Sequence, residues 1–433
     1  NKSLEKFTSI TLNSKLIEFC SMEECTKVHT VFPLPHEFSG VLAKNDFLDK
    51  SERILQNQIS GPESIAVYKG VMYTGTLDGK IVRINEDENK CELITQLIAC
   101  GNDSDGKAMK SQCGRPLGLR FNERGSLFII DAYSGLWKID NVYDYPKTDI
   151  IKNNLLPLRD VRVGCRESVF LDDLVIDGNT VYISDVSGKW NLGNVFLAKM
   201  EPETDGRIIK YDISSGKAEV ILSQLWTPKG IELTDNRDAL LICETVKRRV
   251  LKHYLSGSKA GKTEVFSDAL PGEPENIRRG TEKTLETYWI TISAARSIRE
   301  PSTHDYLNEY PTVRLFVIRF LYAIGFLAEF AGNKLSLQPL RETGESMKTG
   351  KIVELITRQY TVVAELDYQG LIVSTYQSST IFDLTEAREV RINNGNRYLY
   401  IGSNSNQFIV KLSLTNSTTI SENLRYRRHH KQH

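Results

Sequence analysis

The sequence predicts an all-β fold, a six-bladed β-propeller whose fifth blade carries an insertion of helices or loops. One observation is a repeated pattern of short apolar strands and glycine turns that recurs about every 50 residues, a period typical of propeller blades. A second is the alternation of apolar and polar residues within these strands, which indicates antiparallel strands. A third is composition, because 40% of the 433 residues are hydrophobic and can form a large core.

Each copy of the repeat begins with a proline, a glycine or an acid, continues into an apolar strand, and ends with an alternating strand after a glycine turn. The first five copies begin at Gly61, Gly114, Asp172, Pro228 and Pro274, and the sixth ends with residues 408–412. The third strand of the fifth copy is predicted only at residues 350–355, so residues 294–349 form the insertion. A four-stranded blade cannot bury both faces alone, and neighbouring blades must therefore stack around a central channel.

The repeat sets the boundaries of a single domain. Residues 61–415 form the predicted propeller, residues 1–60 lead into it and close it, and residues 416–433 form a basic tail. We expect residues 7–12, or a nearby segment, to complete the last blade, because an unpaired strand edge promotes aggregation.

Charge and cysteine content exclude several classes of protein. The 55 basic residues balance the 55 acidic ones, so the chain has no broad positive field for binding nucleic acid. Seven cysteines are too few for a disulfide scaffold, and the sequence has no cysteine and histidine spacing typical of a zinc site. Sequons at Asn1, Asn102 and Asn416 favour glycosylation in a secretory compartment.

The most apolar stretch of the chain is residues 313–330. Three charges interrupt it, and its longest uncharged run has nine residues, whereas a membrane-spanning helix needs about 20. The stretch is predicted to be either a helix packed on the body of the protein or a helix lying in a membrane surface, with its phenylalanine and leucine side chains in lipid. His304, which precedes it, is predicted to be a solvated loop residue.

Three segments carry a resemblance to a known family: residues 57–66, residues 113–118 with residues 131–136, and residues 271–278. They resemble the blade motifs of the strictosidine synthase-like family, most closely those of its animal members. The resemblance implies a six-bladed propeller and a type II single-pass membrane glycoprotein. Its anchor would precede Asn1, and its propeller would lie in the secretory lumen or outside the cell. The resemblance also implies a disulfide between Cys100 and Cys113.

Side chains at the starts of the inner strands are expected to meet in the channel. These residues are Glu63, Asp172, Lys229, Glu275 and Asn276. Calcium prefers such carboxylate and amide oxygens, and a further resemblance, to the paraoxonases and lactonases, implies a Ca²⁺ site formed by Glu63, Asp172, Glu275 and Asn276. Lys229 departs from that pattern, because an ammonium group cannot coordinate a cation. Three arrangements remain open: an occupied metal site, a cluster in which Lys229 replaces the metal, and unrelated surface positions.

Strictosidine synthase chemistry needs a glutamate at the start of the last inner strand. The resemblance places Arg388 at that position and Glu389 one residue further along, where strand alternation points a side chain away from the channel. Strictosidine synthase activity is therefore not expected, and Glu389 is only a weak catalytic candidate.

Two functions follow from these observations. The first is a weak metal-dependent arylesterase or lactonase activity on a small ester or lactone, in which Ca²⁺ polarises the carbonyl group. The alternative is a non-catalytic cell-surface glycoprotein that binds proteins or ligands. The fold alone does not choose between them, because propellers host both functions.

Overall fold

The computed structural model describes residues 33–98, 113–160, 162–163, 166–200, 204–281, 286–350, 360–392 and 395–414. Strands dominate this part of the chain. They are β1 (Glu52–Ile54), β2 (Ile65–Tyr68), β3 (Val71–Gly75), β4 (Lys80–Asn85), β5 (Lys90–Gln96), β6 (Pro116–Phe121), β7 (Leu127–Asp131), β8 (Gly135–Asp140), β9 (Ile151–Pro157), β10 (Arg162–Val163), β11 (Arg166–Glu167), β12 (Phe170–Asp177), β13 (Thr180–Ser187), β14 (Gly206–Asp212), β15 (Ala218–Leu225), β16 (Pro228–Leu233), β17 (Ala239–Glu244), β18 (Arg249–Tyr254), β19 (Thr263–Ser267), β20 (Glu273–Arg279), β21 (Thr287–Ser293), β22 (Thr361–Asp367), β23 (Ile372–Ser378), β24 (Leu384–Arg391), β25 (Arg397–Ser403) and β26 (Ile409–Ser413).

Within the described residues, these strands form six four-stranded antiparallel sheets and one short pair, β10–β11. Five of the sheets use consecutive strands: β2–β5, β6–β9, β12–β15, β16–β19 and β20–β23. The sixth has the order β24-β25-β26-β1, so its outer strand comes from the N-terminal side of the chain. Glu52 of this outer strand pairs with Lys411. Residues 7–12, which the sequence predicts to complete the last blade, lie outside the described residues.

The first strands of the sheets contact one another in a closed cycle. Strand β2 contacts β6, and the contacts continue through β12, β16, β20 and β24 back to β2. The approach is close enough to require glycine at two positions. A Cβ atom on Gly118 would lie 2.9 Å from Asp173 Cα, and one on Gly230 would lie 2.4 Å from Asn276 Cα.

Five of the first strands contain a β-bulge close to their starts. The register shifts lie between Pro116 and Gly118, Leu171 and Leu174, Pro228 and Ile231, Pro274 and Ile277, and Leu384 and Glu386. A bulge changes the direction in which the following side chains point. Consecutive residues such as Asp172 and Asp173 can therefore both contribute to the interior of the ring.

In the part of the chain that the structure describes, four α-helices lie outside the sheets: α1 (Val195–Met200), α2 (Thr303–Asn308), α3 (Pro311–Leu335) and α4 (Gln338–Lys348). Helices α2, α3 and α4 lie between β21 and β22 of the fifth sheet. A capping box starts α2, because Ser302 Oγ accepts the Asp305 N–H and Asp305 accepts the Ser302 N–H. The third strand of the fifth sheet is β22, which pairs with β21, and not the predicted segment 350–355. Residues 351–355 lie outside the described residues.

Helix α3 is apolar on both its buried and its exposed sides. Leu315 and Ile318 are buried, and Ile318 packs on Leu197 and Met200 of α1. The side chains of Phe316 and Leu327 are 66% and 63% exposed. Among the described residues, this helix has the length and apolar composition that could cross a membrane. Helix α3 is thus packed on the protein, as in the first predicted arrangement, and its exposed side chains leave the second arrangement, a helix in a membrane surface, as a prediction.

Candidate functional site

The starts of four first strands place acidic and basic side chains at one end of the ring, which we call the acidic end. Glu63 precedes β2, and Asp172, Lys229 and Glu275 lie in the bulges of β12, β16 and β20. Their charges interact with one another, so the structure brings these four predicted residues together. The third arrangement, in which they occupy unrelated surface positions, is not the one observed.

Each of two carboxylates at the acidic end is paired with a cation of the chain. Lys229 Nζ donates a hydrogen bond to Glu275 Oε2, and only 12% and 7% of these two side chains are exposed. Lys199 of α1 lies 3.6 Å from the other oxygen of Glu275, which also accepts a 2.7 Å hydrogen bond from Ser293 Oγ. On the other side, Arg115 donates a 2.8 Å hydrogen bond to Glu63.

These pairings give the acidic groups different protonation behaviour. Burial raises the pKa of Asp172 well above its usual value, and the negative charge of Glu63 adds to that effect against the attraction of Lys229. Burial also raises the pKa of Glu63, although Arg115 opposes the shift. For Glu275, burial is outweighed by Lys229 and Lys199, so its pKa is lowered. The acidic end is thus built around a charged Lys229–Glu275 pair, with Asp172 as the carboxyl group most ready to hold a proton.

The residues present do not fit a calcium ion. Lys229 lies among the oxygens that the resemblance assigned to the metal, and its ammonium group can only donate hydrogen bonds. No group of three or more His, Cys, Asp or Glu side chains has the arrangement of a metal site in the part of the chain that the structure describes. One observation favours a cation. The buried Oδ1 of Asn276 accepts no hydrogen bond from the described residues.

A histidine from the insertion reaches the acidic end, where the sequence predicted a solvated loop residue. His304 in α2 is 5% exposed, and its Nδ1 lies 3.3 Å from Glu273 Oε1. Glu273 also accepts a 2.7 Å hydrogen bond from Lys199. Burial lowers the pKa of His304, against the attraction of Glu273. Burial alone would raise the pKa of Glu273, but Lys199 and His304 hold it well below its usual value. Helices α1 and α2 therefore cover this end of the ring.

A buried ion network lies next to the acidic end, and sequence reasoning missed it. Arg278 donates hydrogen bonds of 2.7 and 3.0 Å to the two oxygens of Asp173 and a further one to Glu386. Asp173 also accepts the backbone N–H of Ile231 at 2.9 Å, and Glu386 accepts that of Ile65 at 2.9 Å. The network thus connects five of the six first strands. The bulges hid it from simple alternation, which places Asp172 and Asp173 on opposite faces.

The side chain of Glu389, the weak catalytic candidate, is held in place by hydrogen bonds from neighbouring side chains. Its carboxylate accepts hydrogen bonds of 2.6 Å from Thr281 Oγ1, 2.8 Å from Trp289 Nε1 and 2.6 Å from Arg397 Nε. Burial would raise the pKa of Glu389, but these donors outweigh it and lower the pKa. The neighbouring Arg388 does not lie at the start of the last inner strand, where the resemblance placed it. Strand β24 begins at Leu384, and Arg388 lies further along it and lines a cavity of the ring.

Several predicted features lie outside the described residues and stay predictions. Cys113 is buried, but its predicted partner Cys100 and the sequon at Asn102 fall in the segment 99–112. The sequon at Asn416 and the basic tail at residues 416–433 also lie outside the described part of the chain.

Comparison with known proteins decides the family. The family model "Strictosidine synthase" matches residues 172–258, and the model "Strictosidine synthase-like, N-terminal" matches residues 40–84. The adipocyte plasma membrane-associated protein of Bos taurus is 32% identical over 338 residues, which cover 76% of this chain and 78% of the relative. The chain belongs to the strictosidine synthase-like family.

Other members of the strictosidine synthase-like family match over similar lengths. The human adipocyte plasma membrane-associated protein is 31% identical, and the match covers 88% of this chain and 82% of that protein. The Drosophila melanogaster protein named hemomucin is 27% identical, with 87% and 63% covered. Among solved structures, the calcium-binding protein regucalcin from Agrobacterium tumefaciens gives a TM-score of 0.47 at 10% identity, with 83% of this chain and 92% of that chain covered.

Proposed function

We propose that this member of the strictosidine synthase-like family is a membrane-associated six-bladed β-propeller that binds ligands or partner proteins without a catalytic metal ion. The observation that carries the proposal is the hydrogen bond between Lys229 and Glu275. In this hydrogen bond the chain's own cation lies among the oxygens to which the resemblance to the paraoxonases and lactonases assigns calcium. A lysine ammonium has three donors and no lone pair, so it replaces the positive charge of a metal but not its Lewis acidity.

The propeller part of the proposal is supported by the cycle of contacts among the first strands. Six four-stranded sheets joined in this way have their outer strands at the periphery, which is the arrangement of propeller blades. Strand β1 pairs with β26, so strands from both sides of the described chain share one sheet. Because this sheet joins strands that are distant in the sequence, the first and last blades cannot separate without breaking its hydrogen bonds. This pairing therefore stabilises the ring.

The membrane part of the proposal is supported by the exposed face of α3 and by the relatives, which are named as plasma membrane-associated proteins. An anchor that precedes Asn1, in a type II orientation with the propeller in the lumen or outside the cell, belongs to the same proposal. Glycosylation at Asn102 and Asn416 and a disulfide between Cys100 and Cys113 fit that compartment, because disulfides persist in oxidising environments.

The second candidate is the metal-dependent arylesterase or lactonase acting on a small ester or lactone. Asn276 favours it, because a buried amide oxygen without a donor is a group that a cation could satisfy. Calcium would have to displace Lys229 from Glu275 before any such site could form. Strictosidine synthase activity is not proposed, since the resemblance aligns Arg388 with the required glutamate and the carboxylate of its neighbour Glu389 is bonded inside the protein.

Two measurements on the same preparations test the proposal. Calcium binding is measured by titration calorimetry, and phenyl acetate hydrolysis is measured with and without chelator, for the wild type, Glu63→Gln and Lys229→Asn. We expect no calcium binding and no chelator-sensitive turnover from the wild type. Lys229→Asn should gain calcium binding, because it leaves Asp172 and Glu275 without the ammonium group. If the wild type binds calcium and loses turnover with chelator, and Glu63→Gln loses both properties, the hydrolase is correct and our proposal is wrong.

A further inference from the structure

A second site lies at the opposite ends of the first strands, away from the acidic end. A cavity of about 730 Å³ is lined there by the last residues of five first strands, among them Arg120, Ile176, Leu233, Arg279 and Arg388. The Asp173–Arg278–Glu386 network lies between this cavity and the acidic end, since Asp173 follows Asp172 directly and lies 3.7 Å from Arg120. We call this cavity the arginine cavity.

Positive charge dominates the lining of the arginine cavity. Among the described residues, six basic side chains contribute to it, whereas the acidic ones are Glu123 and Glu232. The basic residues are Arg120, Arg124, Lys138, Arg237, Arg279 and Arg388. Those near the rim have acidic partners: Lys138 contacts Asp140, Arg237 contacts Asp177, and Arg279 contacts Asp235. The remaining positive charge lies on Arg124, which is exposed, and on the two inner arginines.

The two inner arginines, Arg120 and Arg388, have donor atoms that the protein does not use. Arg388 Nε is enclosed and has no hydrogen-bond partner among the described residues, and the same holds for Arg120 Nη2. The nearest acid to Arg120 is Asp173, which already accepts two hydrogen bonds from Arg278. Unused guanidinium donors in an enclosed site cost stability unless an acceptor satisfies them.

The electrostatic environment of Arg388 supports an anionic acceptor. Burial lowers the pKa of Arg388, and the repulsion of Arg120 lowers it further, against the attraction of Glu232. The Glu232 carboxylate is engaged with the backbone, since Oε1 accepts the Leu233 N–H at 3.0 Å and Oε2 accepts the Arg279 N–H at 3.4 Å. An oxyanion between the two guanidinium groups would reduce their mutual repulsion.

Part of the remaining wall is apolar and is formed by Phe121, Val175, Ile176, Ile213 and Leu233. Polar asparagine, serine and threonine side chains line the rest of it. A volume of this size suits a small organic molecule. The apolar part of the wall favours a ligand with a hydrocarbon or aromatic body, which a bare inorganic anion does not have.

We propose that the arginine cavity binds a small organic acid, whose carboxylate lies between Arg120 and Arg388 and whose apolar body packs against Phe121 and Ile176. Guanidinium groups present planar pairs of donors that match the two oxygens of a carboxylate. This site is separate from the acidic end, so it does not depend on whether Lys229 or a metal occupies that end.

The test uses octanoate as the probe, with octanol as its uncharged counterpart and inorganic phosphate as an anion without an apolar body. Binding to the folded chain is measured by titration calorimetry and by the shift of the thermal unfolding midpoint. We expect octanoate to bind and to raise the unfolding midpoint. Octanol lacks the carboxylate and phosphate lacks the apolar body, so we expect each to bind at least about ten-fold more weakly.

Substitutions locate the site. Arg388→Gln and Arg120→Gln should each weaken octanoate binding by about ten-fold or more, because each removes a charged donor pair. Arg53→Gln replaces an exposed arginine that does not line the cavity, and it should bind octanoate as the wild type does. Circular dichroism spectra identical to that of the wild type establish that the variants are folded. The test can be made with either Arg388→Gln or Arg120→Gln if only one of them folds. Equal affinity for octanoate and octanol, stronger binding of phosphate, or undiminished binding by a folded Arg388→Gln would overturn the proposal.

Discussion

Replacing Arg278 with methionine tests whether the buried ion network holds the ring of first strands together. The guanidinium group contacts Asp173 and Glu386, and none of the three side chains is more than 1% exposed. Methionine fills a comparable volume but carries no charge. The two carboxylates would then remain in an enclosed site without their main counter-ion.

The expected loss follows from these contacts. Removing one partner of a buried ion pair typically costs about 3–5 kcal/mol, because the remaining charge is left uncompensated. Arg278 serves two carboxylates, which places the loss in the upper part of that range. Arg120 stays 3.7 Å from Asp173 and compensates part of its charge. We therefore expect the free energy of unfolding to fall by about 4 kcal/mol, and not by twice the cost of a single pair.

The assay is urea unfolding followed by tryptophan fluorescence, with the stability taken from the midpoint and slope. A combined variant, Asp173→Asn with Arg278→Met and Glu386→Gln, should recover most of the loss. Asparagine and glutamine keep a carbonyl acceptor for the backbone N–H groups of Ile231 and Ile65, and they remove both unpaired charges.

Two results would refute this reasoning. The first is a loss below about 1 kcal/mol for Arg278→Met, the level of an ordinary substitution. The second is a combined variant no more stable than Arg278→Met alone. Arg53→Met, a matched change at an exposed arginine, should stay within about 0.5 kcal/mol of the wild type.

Three further predictions concern the acidic end, the ring and α3. Asp172→Asn should become more stable than the wild type as pH rises, because the raised pKa of Asp172 means that the folded wild type loses stability when this carboxyl group ionises. Gly230→Ala should lower the free energy of unfolding by about 1–3 kcal/mol, because its Cβ would lie 2.4 Å from Asn276 Cα. Phe316→Ser with Phe320→Ser should reduce binding to phosphatidylcholine vesicles at least several-fold, because both side chains are more than half exposed on α3.

Each of these predictions has a direct measurement and a contrary outcome. For Asp172→Asn, urea unfolding at pH 5 and pH 8 should show a stability difference that grows with pH, and a constant difference contradicts the assignment. For Gly230→Ala, an unchanged midpoint would mean that β16 and β20 can move apart without cost. For the α3 variant, vesicle flotation is compared with Tyr368→Ser, which removes an exposed aromatic ring elsewhere. Equal losses from both variants would rule out α3 as the lipid-binding face.

The strands and the family could be predicted from the sequence because their signals are local. Alternation in segments such as residues 249–254 reports one buried face of a strand, and the observed strand β18 (Arg249–Tyr254) has those bounds. The third strand of the fifth sheet was misplaced for a similar reason. Residues 350–355 carry the apolar pattern of the other third strands, but the partner of β21 is β22 at Thr361–Asp367. Strand pairing is decided by contacts distant in sequence, which a local pattern does not contain.

The order of residues along the chain is enough to show acidic residues at the starts of the first, third and fifth inner strands, with Lys229 at the start of the fourth. What these residues do depends on how the chain folds. Lys229 pairs with Glu275, His304 reaches Glu273 from the insertion, and Arg278 pairs with Asp173 and Glu386. The partners of Lys229 and Arg278 lie on other sheets, His304 reaches Glu273 from a helix, and bulges turn several of these residues toward the interior against simple alternation. The charge of each residue is a property of its chemistry, but which opposite charge neutralises it depends on how the whole ring closes.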